Sequence, residues 1–183
     1  MDHKQLNIGI IIGSTREGRI GDQVGRWVYE QARRLSQHHF TLLDIKDFNL
    51  PFLGSPGSEP AIKIWDEAVQ KCDGFIFVTP EYNHSFPASL KNAVDVLKES
   101  WHDKAAAIIS YGSMGGARAA EHLKQVLGEL RVADVRTQVL FSLFDDFEKM
   151  YDFRPRALHL PTFEIQLEQL ISWSEALKPL RQS

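Results

Sequence analysis

The chain has a single cysteine, Cys72, among its 183 residues. One cysteine can form no disulfide within the chain and cannot build a multi-cysteine metal site. Because Cys72 stands just before an apolar segment, we expect it to be a buried packing residue. The sequence therefore predicts neither a disulfide framework nor a metal centre.

Long hydrophobic runs and basic clusters are also missing. No segment approaches the roughly 18 apolar residues of a membrane-spanning helix, and the first residues do not have the pattern of a signal peptide. The formal net charge is -3, and no run of arginines exceeds Arg33-Arg34, which argues against a nucleic-acid partner. We expect one domain, residues 1–183, that is located in the cytoplasm and binds neither membrane nor nucleic acid.

Apolar strand candidates alternate with amphipathic helix candidates along the chain. The predicted strands are residues 6–12, 40–45, 74–79, 105–110 and 134–140, and the predicted helices are residues 21–36, 61–71, 87–98, 115–130 and 163–180. This alternation predicts an α/β fold: a flavodoxin-like three-layer sandwich with a five-stranded parallel sheet in the order 2-1-3-4-5 and helices on both faces. In such sheets, ligands bind beyond the carboxyl ends of strands one, three and four.

The loop after the first predicted strand has the composition of an anion site. Backbone N–H groups at the start of the next helix would point at a bound anion, and the helix dipole would favour it. Ser14 and Thr15 can add hydroxyl donors. The guanidinium of Arg16 or Arg19 can add a pair of charge-assisted hydrogen bonds to the anion. These residues predict phosphate binding, and the alternative is a turn that binds nothing.

Two common phosphate loops do not match this segment. A P-loop needs lysine and then serine or threonine after its second glycine, but Arg19-Ile20 stands there, which argues against a magnesium nucleotide. A dinucleotide-binding loop needs Gly-x-Gly-x-x-Gly, which residues 13–18 do not supply. The hydroxyl-rich loop suits a terminal phosphate monoester better.

Two further unusual loops follow the third and fourth predicted strands, at residues 80–85 and 111–116. Together with the first loop they resemble the NADPH-dependent FMN reductases, which are flavodoxin-like quinone, azo and flavin reductases. The matching motifs are residues 13–16, 80–95 and 110–116, and the match runs almost end to end. The segment 141–161 matches no fixed pattern.

The resemblance implies an NAD(P)H-dependent FMN reductase or quinone reductase. Hydride would pass from NADPH or NADH through FMN to a quinone, an azo compound, free flavin or a similar small aromatic acceptor, by a ping-pong mechanism. The resemblance also implies a homodimer or a homotetramer. We expect no catalytic side chain, because a flavin does the redox chemistry itself.

The resemblance also assigns residues to the FMN site. The phosphate would be held by Ser14, Arg16 and the backbone of Arg19, Ile20 and Gly21. The isoalloxazine ring would be lined by Pro80, Glu81, Tyr82, Asn83 and Ser85. The other edge of the ring would face Ser110, Tyr111, Gly112, Ser113, Gly115 and Gly116.

Several of these residues also have a purely structural interpretation. Glu81 can bind the ligand or cap a helix. Tyr82 is expected to form a pocket wall rather than to pack in the core, whereas His84 is expected at the surface or in an interface. Asp145, Asp146 and Glu148 are expected to be solvated carboxylates rather than metal ligands.

Two questions stay open in the sequence. Five aromatic residues between 141 and 153 can pack on their own domain or form a subunit interface. The chain can also be a flavodoxin-like electron carrier or a redox-responsive FMN-binding protein without efficient NAD(P)H turnover. Flavodoxins usually have no arginine in the phosphate loop and a markedly acidic surface, so Arg16 and the small net charge favour the reductase.

Overall fold

The computed structural model describes residues 5–181. Its strands are β1 (Asn7–Ile12), β2 (His39–Asp44), β3 (Gly74–Pro80), β4 (Ala105–Gly112), β5 (Ala133–Asp134), β6 (Val139–Ser142), β7 (Phe147–Glu148) and β8 (Asp152–Phe153). Its α-helices are α1 (Gly21–Leu35), α2 (Glu59–Gln70), α3 (Ala88–Asp95), α4 (Ala117–Glu129) and α5 (His159–Leu177). Short 3-10 turns cover Glu99–Trp101 and Lys178–Arg181.

The main sheet is parallel and has the strand order β2-β1-β3-β4-β5, which confirms the predicted flavodoxin-like topology. Every residue of β3 and β4 is buried, because helices cover both faces of a parallel sheet. Core residues of α1 and α5 pack on one face, and core residues of α2, α3 and α4 pack on the other. Cys72 is buried in the second core, as expected.

The predicted fifth strand is wrong in one respect, because it is not continuous. β5 and β6 both pair with β4, but residues 135–138 separate them. In this gap the Gln166 side chain of α5 takes the place of backbone hydrogen bonds between β4 and the edge strand. Its Nε2 donates to the carbonyl oxygens of Ile108 and Thr137, each at 2.8 Å. A strand pattern cannot reveal this break, since the residue that bridges it belongs to another element.

Several helix ends also differ from the predicted ones. α2 begins at Glu59 because Pro60 fits the first turn of a helix. α4 begins at Ala117, after Gly115 and Gly116, whose φ angles of 68° and 76° are left-handed. α3 ends at Asp95, before the predicted end at residue 98, and α5 begins four residues before its predicted start.

Asp73 connects the first strand to the last turn of the described chain. Its carboxylate accepts hydrogen bonds from the Asn7 backbone at 3.0 Å, from Lys178 Nζ at 2.8 Å and from Arg181 Nη2 at 2.8 Å. Burial alone would raise the pKa of Asp73, but these hydrogen bonds and cations outweigh burial and lower it. This cluster lies at the amino edge of the sheet, opposite the predicted site.

Within residues 5–181, no helix is both long and apolar enough to cross a bilayer.

Candidate functional site

The three predicted loops meet at one edge of the sheet. β1, β3 and β4 are neighbours and run parallel, so the segments that follow them all leave from the carboxyl edge. Pro80 is the buried last residue of β3, and the loop proper starts at Glu81. The edge predicted to bind a ligand is therefore the edge at which these loops converge.

The start of α1 forms a close-packed polar cradle. A Cβ atom at Gly21 would lie 2.6 Å from Ser14 Oγ and 2.6 Å from the Tyr111 hydroxyl, so only glycine fits there. Ser14 and Tyr111 are buried, and their hydroxyls share a hydrogen bond of 3.4 Å. Ile20 occupies the N-cap position and provides no side-chain cap, so two hydroxyls lie beside uncapped helix N–H groups. This composition suits a phosphate.

Arg16 is the exposed cation beside this cradle. Its Nε donates to the Tyr82 hydroxyl at 2.9 Å, which joins the β1 loop to the β3 loop. Its Nη1 donates to the carbonyl oxygens of Glu17 and Gly18 at 3.3 Å and 3.2 Å. No carboxylate among residues 5–181 forms an ion pair with Arg16, so its charge is available to an anion.

Arg19, the other candidate for a charge-assisted fork, is already paired. Its guanidinium donates to both carboxylate oxygens of Asp44, one of them at 2.6 Å, and to the Ser14 carbonyl oxygen. The hydrogen bonds and charge of Asp44 raise the pKa of Arg19. Of the two arginines, Arg16 is therefore the one without a carboxylate partner among residues 5–181, and the Arg19 side chain fixes the loop to β2.

Glu81 caps a helix, which was one of its two interpretations. Its Oε2 accepts from the Arg118 backbone N–H at 3.2 Å, and its Oε1 accepts from Arg118 Nε at 2.6 Å. Its own N–H donates to the Tyr111 carbonyl oxygen at 2.9 Å. The carboxylate thus satisfies the start of α4, where a negative charge is favourable, and it forms an ion pair with Arg118.

The β3 loop ends in a tight turn. Tyr82 and Ser85 exchange backbone hydrogen bonds of 2.8 Å and 3.0 Å. Asn83 and His84 between them have φ angles of 49° and 69°, as a type I′ turn requires at both central positions. Asn83 and His84 are exposed at the tip, as expected for His84, and Ser85 Oγ shares a hydrogen bond of 3.1 Å with His122 Nδ1.

The β4 loop is folded over its own strand. The buried Ser110 hydroxyl donates to the Gly115 carbonyl oxygen at 2.9 Å. A Cβ at Gly116 would lie 2.8 Å from the Tyr111 nitrogen. Burial raises the pKa of the Tyr111 hydroxyl. Ser110 therefore supports the loop from below, whereas the Tyr111 hydroxyl faces the cradle beside Ser14 and Gly21. Ser113 is exposed.

A cleft of about 720 Å³ opens beside these loops, and the sequence did not predict its second wall. One wall contains Thr15, Arg16 and Tyr82 from the predicted loops. The other wall comes from the loop after β2, residues 45–52, and from the start of α3, residues 87–92. The sequence signal for this second wall was the presence of apolar residues in the loop after β2, which is rich in proline and glycine.

Three of the five aromatic residues in the segment 141–153 pack on their own domain. The Phe141 and Phe153 ring centroids lie 4.8 Å apart, and those of Phe147 and Phe153 lie 4.9 Å apart. Phe144 and Tyr151 are exposed. Core packing therefore explains most of this segment, and two aromatic side chains remain at the surface.

The expectation that Asp146 is solvated is wrong. Its side chain is fully buried and accepts hydrogen bonds from the Ser142 backbone, from Arg156 and from His159 Nε2, the last at 2.9 Å. Burial raises the pKa of Asp146, but these hydrogen bonds outweigh it and lower the pKa. Asp145 and Glu148 are exposed, as expected. In the described part of the chain, no group of three His, Cys, Asp or Glu residues is placed to hold a metal ion.

Comparison with known proteins gives concordant matches. A family model described as NADPH-dependent FMN reductase matches residues 6–146. An NAD(P)H-dependent FMN reductase of Schizosaccharomyces pombe is 34% identical over 143 residues, which are 73% of this chain and 72% of that protein. A quinone reductase of Escherichia coli is 30% identical over 132 residues, which are 68% of this chain and 70% of that protein.

Solved structures show the same fold. The flavoenzyme FerB of Paracoccus denitrificans, an NAD(P)H:(acceptor) oxidoreductase, superposes with a TM-score of 0.74 at 18% identity, covering 94% of this chain and 98% of that chain. A WrbA-like flavodoxin of Agrobacterium tumefaciens superposes with a TM-score of 0.60 at 16% identity, covering 94% and 99%. At these identities the likeness establishes the fold alone.

Proposed function

The chain belongs to the NADPH-dependent FMN reductase family and is an oxidoreductase, and we propose that it reduces a quinone, an azo compound, free flavin or a similar small aromatic acceptor with NADPH or NADH. The family assigns FMN as its cofactor. FMN supplies the hydride chemistry when it is bound, and the protein supplies binding, orientation and electrostatics.

The cradle at Gly21 is the observation that carries the proposal. Two buried hydroxyls, an uncapped helix start and one unpaired arginine at its rim make up a site for a phosphate dianion. We assign the FMN phosphate to Ser14, Arg16 and the backbone of Ile20 and Gly21. The Arg19 backbone is left out of the predicted set because its N–H donates to the Arg16 carbonyl oxygen at 3.3 Å. A turn that binds no ligand would not require these hydroxyl, backbone N–H and guanidinium donors in one place.

The ring of FMN is assigned to the two neighbouring loops. The Tyr82 N–H is used within the turn, but those of Asn83 and His84 form no hydrogen bond with residues 5–181. Together with the backbone N–H of Ser113 in the β4 loop, these N–H groups would stabilise negative charge on a ring edge, in a preorganised arrangement. The Gly115 N–H is already used, because it donates to the Gly112 carbonyl oxygen at 3.1 Å. Glu81 and Ser110 hold the two loops in place.

Donor and acceptor are proposed to bind in turn at one open face, in a ping-pong mechanism. The described chain offers one carboxyl edge for the cofactor, so a nicotinamide that approaches the ring from solvent occupies the place that the acceptor needs. The nicotinamide product must therefore leave first. No acid, base or nucleophile of the chain is assigned to the reaction.

The assembly is proposed to be a single-domain homodimer or homotetramer that works in the cytoplasm. Phe144 and Tyr151 are large aromatic side chains left exposed, and Met114 is exposed on the β4 loop. A second subunit that covers this region would remove that apolar surface from water. It would also shelter a ring that a lone domain leaves open.

Anaerobic reduction tests the function. The purified protein should be yellow or take up FMN, bleach when NADPH is added under nitrogen, and regain colour when a quinone is added. Yellow protein that NADPH and NADH bleach only very slowly would instead identify the electron carrier or redox-responsive protein. Protein that retains no FMN after incubation with it would contradict the cofactor assignment.

A further inference from the structure

Phe52 is an exposed aromatic residue in a backbone segment that Asn92 holds in place. Its side chain is 71% exposed, at the mouth of the cleft beside the β2 loop. The Asn92 amide binds the backbone on both sides of it: Nδ2 donates to the Pro51 carbonyl oxygen at 3.0 Å, and Oδ1 accepts from the Leu53 N–H at 3.0 Å. The backbone that carries the ring is therefore held at the cleft, and an exposed aromatic ring in that position is suited to stack on a planar ligand.

The charged side chains of the same cleft are all cationic. Lys46 and Arg16 line it, and none of the described residues in its walls is acidic. The nearby Asp44 carboxylate is already paired with Arg19. Asn49 and Ser89 add neutral polar groups. A ligand that fits this cleft is therefore aromatic at one place and anionic at another.

The cleft overlaps only in part with the surface assigned to FMN. It shares Arg16 and Tyr82 with that surface but includes no residue of the β4 loop, 112–116. The hydrogen bond between Arg16 and Tyr82 lies between the two. A ligand in the cleft would therefore be a neighbour of FMN and would not replace it.

We propose that this cleft binds the adenosine 2′-phosphate end of NADPH, with the adenine on Phe52 and the 2′-phosphate at Lys46. Lys46 then determines a preference for NADPH over NADH, and Asn92 acts as the positioning residue for Phe52. This inference rests on the proposed function, since it names the donor of that reaction. A quinone or an azo group does not fit as well, because it carries no charge to match Lys46, the cation of the cleft that FMN does not use.

Titration of the FMN-loaded protein with two adenine nucleotides tests the assignment without turnover. By calorimetry, 2′,5′-ADP should bind about five-fold more tightly than 5′-AMP, as an exposed lysine and a phosphate allow. Lys46→Gln should abolish this preference, and Phe52→Ala should weaken both nucleotides about five-fold or more. The matched controls Lys71→Gln and Ile64→Ala change exposed residues outside the cleft and should bind like the parent.

Steady-state kinetics give a second measurement. Lys46→Gln should raise the KM for NADPH about five-fold and leave the KM for NADH and both kcat values unchanged. Equal binding of the two nucleotides, a preference that survives Lys46→Gln, or nucleotide binding that disappears when FMN is loaded would each overturn the inference. Those results would leave the proposed function intact, because that function fails only if FMN is not bound or is not reduced by NAD(P)H.

Discussion

Arg16 donates a hydrogen bond of 2.9 Å to the Tyr82 hydroxyl, and its guanidinium lies 5.9 Å from the centre of the Tyr82 ring. The loop after the first strand is thereby joined to the loop after the third. Both residues stand at the boundary between the assigned FMN surface and the neighbouring cleft. Substitutions at this pair therefore test the site most directly.

Replacement of Arg16 by alanine should weaken FMN binding by roughly ten-fold or more, because one charge-assisted partner contributes on the order of 1.5 to 3 kcal/mol. Affinity for riboflavin, which lacks the phosphate, should change little. Fluorescence titration of both flavins measures the two affinities. Arg33→Ala, which changes an exposed arginine on α1 away from the site, should bind both like the parent. Equal losses for FMN and riboflavin would show that Arg16 does not recognise the phosphate.

Steady-state kinetics with both substrates varied should give parallel double-reciprocal lines. The reason is that the donor must leave the single open face before the acceptor can bind. The measurement is the initial rate at several fixed quinone concentrations. Intersecting lines would require a ternary complex and would contradict alternating occupancy.

Light scattering at micromolar concentration should give the mass of two or four chains. Phe144→Ser should lower the average mass and weaken FMN retention, because it removes an exposed aromatic side chain from the proposed interface. Ile64→Ser, which changes an exposed residue on α2, is the matched control and should leave both unchanged. A parent protein that is monomeric yet holds FMN tightly would refute the proposed assembly.

Replacement of Asp146 by asparagine should lower the free energy of unfolding by about 3 to 5 kcal/mol, because Arg156 and His159 then lose a buried partner. Urea unfolding measures this loss. Asp145→Asn changes an exposed neighbour and should stay within about 0.5 kcal/mol of the parent.

The Asp146 carboxylate should also make the stability of the fold depend on pH. The folded-state pKa of Asp146 is lowered, so its contribution is fully present above the unfolded-state value of about 3.9 and is lost as the pH falls below it. The parent should therefore lose stability below about pH 4 more steeply than Asp146→Asn. Equal acid sensitivity of the two proteins would assign the effect to other groups.

The sequence predicted those features that neighbouring residues determine. Apolar runs buried on both faces identified β1 and β3, and unusual loops after three strands identified the edge of the sheet at which these loops converge. It could not predict features that depend on distant partners. Gln166 bridges the gap between β5 and β6, Arg156 pairs with the buried Asp146, and Asn92 holds the backbone around Phe52. Each contact joins residues at least ten positions apart.

Asp73 couples the local unfolding of the two ends of the described chain. Because one carboxylate holds the start of β1 and the cations of the last turn, fraying of either end removes a partner from the other. The amide protons of Asn7 and Arg181, although far apart in sequence, should therefore exchange with solvent as one cooperative unit, and Asp73→Asn should accelerate both. This opening takes place at the edge of the sheet away from the surface assigned to FMN, so we expect the ends to loosen while the cofactor stays bound.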